Sequence, residues 1–372
     1  MESKRNGTID LIRFLGSVAI MIFHSNAFAR NGAVAFIPRP HVMVEFFFMV
    51  SGYLMACSVY KNTKKTPHAA IGQETISFMK HKISSLFPEY VISFLASFII
   101  YEIATGSQGF LSWCRDFITG LPDGLMLSMT GLGCSKWNIV LWYISAMMIV
   151  MLIFYPWLRK YFKAFSCIAA PVLAITVYVF FYFQFKGSIT GPYKIIAGFL
   201  YKGLLKALGG VSLGISAFFI IEWMKKLNLN IFGKLIITII QICLWTVMIC
   251  YAFDPPAPNK DILMVFLCFI NVILAFSQQG ILYGIFNNKI CYFLGRLSLP
   301  LYMCHGCFRQ VFKYISKVQV SEGTFGWDSD PDGAYIRMLV IYIAASAAFA
   351  LFTLFSADLL RKRHSSLKNA AQ

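Results

Sequence analysis

Residues 9–29 read IDLIRFLGSVAIMIFHSNAFA. A helix needs about 20 mostly apolar residues to cross a bilayer core of about 30 Å, and this stretch has the length and the composition. Past its first turn it carries two ionisable side chains, Arg13 and His24. Such groups in hydrocarbon cost about 3 kcal/mol each even on the lenient insertion scale, so they mark function by default. The basic start and Ala27-Phe28-Ala29 also match the plan of a cleaved signal sequence. An arginine and a histidine inside the apolar core have no place in one.

The rest of the chain repeats the pattern. Of 372 residues, 58% are hydrophobic, 16% aromatic and only 13% charged. A soluble domain is about 25% charged, so there is too little charge here to coat a water-facing surface. Ten segments have the length and apolarity of a span: 9–29, 42–60, 83–104, 138–157, 165–185, 203–222, 231–253, 262–284, 291–314 and 335–359. The expectation is an all-α, polytopic membrane protein of about ten transmembrane helices, with residues 1–372 forming a single transmembrane domain. No short internal repeat is visible.

The net charge of +17 raises a nucleic-acid reading. The basic residues alternate with long apolar runs, however, and no zinc-finger spacing, glycine-rich phosphate loop or basic-aromatic block accompanies them. The charge is topological instead. With ten spans, nineteen Lys and Arg fall on the N-terminal side and thirteen on the other, with Arg13 inside span one. Both termini are therefore expected in the cytoplasm, and Glu322, Asp328, Asp330 and Asp332 outside. Ser77 to Phe87, with Lys80 and Lys82, reads as a basic amphipathic helix at the inner surface. Most of the ten cysteines, Cys167, Cys243, Cys250 and Cys268 among them, lie in apolar runs as small hydrophobes. Cys114 and Cys134 can pair only if their loop faces an oxidising space.

Depth along each span groups the polar residues. At 1.5 Å per residue, His24, Glu45, Trp142 and His305 reach roughly one level in the outer part of the membrane, with Tyr143 beside Trp142 and Ser298 near mid-depth. Two histidines, a carboxylate and an indole at one level suit proton transfer, with His24 as general base and Glu45 holding its tautomer. Interhelical hydrogen bonding is the other role open to the histidines, and the simpler one for His305. Arg13 lies 11 residues before His24, about 16 Å along a helix. That separation fits a long anionic substrate, with phosphate on the guanidinium and its reactive end at the histidine. Snorkelling to the headgroups is the alternative for Arg13. Ser51-Gly52 reads as a close helix approach, Cys304 and Cys307 beside His305 as packing, and Lys202 and Lys206 as an entrance lining or a headgroup anchor.

These motifs together resemble the integral-membrane acyltransferase family three, whose members O-acetylate or otherwise acylate bacterial surface glycans and related acceptors. The resemblance covers almost the whole chain. DLIRFLGSVAIMIFH, residues 10–24, resembles the family's arginine, ten residues, histidine signature. VEFFFMVSGYL, residues 44–54, is similar to its acidic, double-phenylalanine, Ser-Gly segment, with Glu45 where Asp is commoner. LWYIS, residues 141–145, resembles the tryptophan motif, and LGRLSLPLYMCH, residues 294–305, the Gly-x-x-Ser, Tyr and His signature. Two departures stand out: Lys80 and Lys82 precede Pro88, with Ser85 in place of a second arginine, and Met147 replaces a glutamate common after the tryptophan motif.

The resemblance implies a membrane O-acyltransferase of the bacterial cytoplasmic (inner) membrane. It would move an acetyl or small acyl group from acyl-CoA, usually acetyl-CoA, to a hydroxyl of a glycan or glycolipid. His24 and Glu45 would be catalytic, and Arg13, Lys80 and Lys82 would contact the donor's phosphates. Trp142, Tyr143, Ser298, Tyr302 and His305 would line the substrate cavity. The expected partners are acyl-CoA, the acceptor and membrane lipids; neither a metal nor nucleic acid is expected. The competing class is a proton-coupled transporter or flippase of a lipid-linked sugar, for which His24 and Glu45 would form a relay.

Overall fold

The computed structural model describes residues 5–29, 36–66, 70–106, 109–132, 137–254, 258–321 and 330–370, which are almost wholly helical. Helix α1 (Gly7–His24) starts where the Asn6 side chain accepts the Ile9 N–H, and it runs into a 3₁₀ turn over Ser25–Phe28. There follow α2 (Val42–Lys65), α3 (Ile71–Thr105), α4 (Phe110–Gly124) and α5 (Trp142–Lys160). A short α6 (Phe162–Ala164) passes through a π-helical turn, Phe165–Ala169, into α7 (Ala170–Phe185). A two-residue hairpin, β1 (Ile195–Ile196) with β2 (Leu200–Tyr201), leads to α8 (Lys202–Met224) and α9 (Ile231–Phe253). The chain closes with α10 (Asp261–Ser277), α11 (Ile281–Phe286), α12 (Lys289–Ser321) and α13 (Pro331–Ala370).

Among the described residues, eight helices are long and apolar enough to cross a membrane, and they coincide with eight of the ten expected spans. The protein is an all-α polytopic membrane protein. The other two expected spans differ in form. The one placed at 262–284 stops at Ser277, because Gln278 turns to φ +62°, and resumes as the separate α11. The one placed at 291–314 lies inside the 33-residue α12, whose Arg296, Ser298, His305 and Arg309 dilute its apolarity. The amphipathic segment at 77–87 is not separate either. It is continuous with the third span in the 35-residue α3, about 52 Å long and so longer than the bilayer core is thick. Cys114 is a free thiol, whereas Cys134 lies outside the described residues, as do Glu322 and Asp328.

Helix α2 forms the centre. In its most apolar stretch 78% of residues are buried, against 17% for α9, whose Ile236, Ile239 and Ile240 face outward as lipid-facing residues do. α2 packs chiefly on α8, with α5 and α10 on its flanks. A Cβ at Gly52 would run into the Val211 carbonyl, and one at Gly214 into the Met49 carbonyl, so these glycines set how closely α2 and α8 approach. α1 packs on α12, which α3 and α13 cover from its other sides. At the start of α3, Arg159 on α5 donates from Nε to Glu74 at 2.9 Å and from Nη2 to the Thr66 carbonyl at 2.6 Å. Tyr155 adds a hydrogen bond to Glu74 at 2.7 Å, so the carboxylate and its cation are both satisfied.

Candidate active site

Two features tie α1 to α12. The Ser17 hydroxyl donates to the Arg13 carbonyl at 3.0 Å or the Ser298 carbonyl at 2.9 Å, and the His24 ring stacks on His305 at 5.3 Å between centroids. His24 is seven residues past Ser17, and His305 seven past Ser298. The two helices therefore run in the same direction in constant register, and the second contact lies about 10 Å beyond the first.

Around the first contact is a cavity of about 160 Å³ between α1, α2, α3, α5 and α12. Arg13, Lys82, Tyr143, Ser298 and Tyr302 all line it, together with Ser51. Arg13 is about a third exposed (32%) and only loosely paired with Asp10 at 3.7 Å, because that carboxylate already holds Arg5 at 2.5 Å. Its guanidinium donors are thus left for an anion. Lys82 brings a second cation from α3. The hydroxyls of Ser51 and Tyr143 lie 3.5 Å apart on the wall.

Aromatic rings lead from this cavity to the histidines. Tyr143 and Tyr302 meet at 5.5 Å, Tyr302 and His305 at 5.7 Å, and His305 then stacks on His24. The Tyr302 hydroxyl donates to the Val140 carbonyl at 3.1 Å. His305 Nδ1 lies 3.1 Å from the Leu301 carbonyl, which can only accept, so this nitrogen carries the proton. In the neutral ring the lone pair is then on Nε2, which is buried and has no hydrogen-bond partner among the described residues.

Three expected site residues are elsewhere. Glu45 does not orient His24. Its carboxylate accepts from Tyr178 at 2.8 Å and faces the Lys206 ammonium at 3.5 Å, in a buried cluster of α2, α7 and α8. Trp142 belongs to the same cluster, with the Lys206 ammonium 5.6 Å from its ring centroid. Depth had grouped these residues with His24, but the level is shared across different sides of α2. Lys80 is exposed and off the cavity, because residues two apart on a helix do not share a face and Lys82 takes the inward one. Lys202 and Lys206 are not a headgroup anchor: both are buried, and Lys202 donates to the Ser188 carbonyl at 2.7 Å.

Sequence reading also passed over Tyr178 as the partner of Glu45, and over Arg39 with its neighbours His41 and Asp261. The visible signal for Lys206 was its spacing of four from Lys202 at the start of an apolar helix. The histidine ahead of span two was the signal for His41, whose Nε2 lies 3.0 Å from Asp261. Burial holds this imidazole below its ordinary range, against the opposing pull of the Asp261 carboxylate. Among the described residues, no three His, Cys, Asp or Glu side chains come together as a metal site.

The described residues thus form a helical membrane bundle with a cationic cavity and, about 10 Å further along α1, a pair of stacked histidines. Residues 6–361 match the family model described as an acyltransferase domain. The chain belongs to that family, acyltransferase family three, and is a multi-pass membrane acyltransferase. Comparison with curated proteins and with solved structures gives no match.

Proposed function

We propose that the protein is an acyl-CoA-dependent O-acyltransferase of the bacterial cytoplasmic membrane, formed by the whole chain as one domain. It would place an acetyl or other small acyl group on a hydroxyl of a cell-surface glycan or glycolipid. The observation that carries this reading is the joining of Arg13 and Lys82 in one cavity, from whose wall ring contacts run through Tyr143 and Tyr302 to His305 and then His24, although neither histidine lines the cavity itself.

Two cations from different helices suit the clustered phosphates of a CoA donor, Arg13 by its planar fork and Lys82 as a point charge. A pantetheine-like arm would enter this cavity, and Arg13, being partly exposed, would meet the phosphates at its mouth. The thioester would then reach toward the histidines, about 16 Å along α1 from Arg13. His24 takes the proton from the acceptor hydroxyl as its oxygen attacks the thioester carbonyl. The C–S bond breaks, and the departing sulfur takes the proton back from the imidazolium. His305 holds the His24 ring by stacking and offers its Nε2 lone pair to a donor at the same place.

The test is to incubate the detergent-purified protein with radiolabelled acetyl-CoA, with and without extracted cell-envelope glycolipid, and to follow label and free CoA. Label entering glycolipid together with CoA release supports the reading. Folded protein that releases no CoA, with longer acyl donors tried as well, overturns it.

A further inference from the structure

A second cavity, of about 250 Å³, lies between α1, α2, α9 and α10, on a different face of α1 from Arg13. It is a trough. Ile12 to Ala19 on α1 and Trp245 to Ala252 on α9 form its long walls, each about 10 Å, and Phe46 and Met264 are part of its floor. Leu15 (46% exposed) and Ile249 (55%) stand at its lip, so it opens sideways, where lipid would lie.

One end of this apolar trough is closed by a charge. Arg39 is buried to 2% exposure, its backbone N–H donates to the Ala252 carbonyl at 3.1 Å, and its guanidinium lies 5.0 Å from the Tyr251 ring centroid. Among the described residues neither terminal nitrogen, Nη1 or Nη2, has a hydrogen-bond partner by geometry, although the guanidinium interacts with the Tyr251 side chain. The nearby carboxylate, Asp261, is already taken by His41, by the Ile189 N–H at 3.2 Å and by the Tyr251 hydroxyl. A buried guanidinium with no carboxylate partner among the described residues is costly; the Tyr251 side chain offsets part of that cost, and an anion brought from outside would offset the rest. The N-terminus of the 24-residue α2 begins three residues later and adds its positive end at the same place.

We propose that this trough binds one chain of an anionic phospholipid of the surrounding bilayer, with the headgroup phosphate on Arg39. The charge complements the phosphate, and the apolar length beyond it takes the start of an acyl chain. Besides Arg39, the polar side chains on the walls are Tyr251 and Asn271, whose Nδ2 contacts Met248 Sδ at 3.4 Å. The trough shares no residue with the Arg13 cavity, so the proposal stands apart from the acyl-transfer reading.

The test is native mass spectrometry of the full chain in detergent, titrated with phosphatidylglycerol, phosphatidylcholine and a polyisoprenyl phosphate. Wild type should retain phosphatidylglycerol over zwitterionic phosphatidylcholine. Arg39→Gln should bind phosphatidylglycerol about tenfold more weakly and lose the preference. Ala19→Phe, which fills the trough and spares the guanidinium, should weaken retention of both phospholipids, with folding of each variant checked by circular dichroism. Equal retention of the two phospholipids by wild type, or an intact preference in Arg39→Gln, overturns the proposal. Stronger retention of the polyisoprenyl phosphate than of phosphatidylglycerol also overturns it, since the occupant would then be a carrier lipid.

Discussion

The α1–α12 pair and the α2–α8 pair both place polar side chains where a membrane protein ordinarily has none, and they treat them in opposite ways. Between α2 and α8, Glu45 has Lys206 and Tyr178, and two glycines bring the backbones together. Between α1 and α12, the histidines have each other's faces, and His305 keeps an unpartnered nitrogen. A buried carboxylate whose charge is matched by a cation of the same fold works for the fold, even where one of its oxygens, Glu45 Oε1, has no hydrogen-bond partner by geometry among the described residues. An imidazole left with a lone pair and no partner is available for chemistry.

This contrast is sharpened or broken by substitution. The largest effect is expected at the histidines: His24→Ala should lower kcat by roughly 10²–10⁴-fold, the usual contribution of a positioned base, with thermal unfolding in detergent unchanged. Glu45→Ala should do the reverse. By leaving the Lys206 ammonium buried and unpaired it should cost about 3–5 kcal/mol of stability, read as a lowered Tm, and Glu45→Leu with Lys206→Met should recover much of it. A Glu45→Ala protein of normal stability would break the comparison. Arg13→Ala should raise the KM for acyl-CoA about tenfold or more, and Arg13→Lys less, since one charged hydrogen bond is at stake in steady-state kinetics. The smallest effect belongs to Lys80→Ala, which should change the KM less than twofold, with Lys82→Ala as the contrasting lysine.

Much of this was legible in the sequence. Depth is read by counting residues, so Arg13 and His24 fall about 16 Å apart on one helix, with Ser298 near mid-depth and His305 in the outer half of another. What counting does not give is the order of helices around the bundle. Glu45 shares a level with His24 but faces α7 and α8, and no periodicity in α2 identifies which neighbour each side meets. Lys80 and Lys82 failed as a pair for a nearer reason, since helical phase alone separates them. The ends of spans were also hard to read: nothing local marks the join between an amphipathic turn and a span in α3, whereas Gln278 breaks α10 by its backbone conformation. Arg39 looked like one more loop charge because its burial comes from α9, more than two hundred residues along the chain.

In the proposed reaction Arg13 and His24 act together from positions about 16 Å apart on α1. This joint role is tested most directly by measuring acyl-CoA KM and kcat for purified wild type, Arg13→Ala and His24→Ala in one CoA-release assay with glycolipid acceptor. Arg13→Ala is expected to raise KM with kcat nearly kept, and His24→Ala to lose kcat with donor binding nearly kept. Folded His24→Ala turning over at the wild-type rate would contradict it.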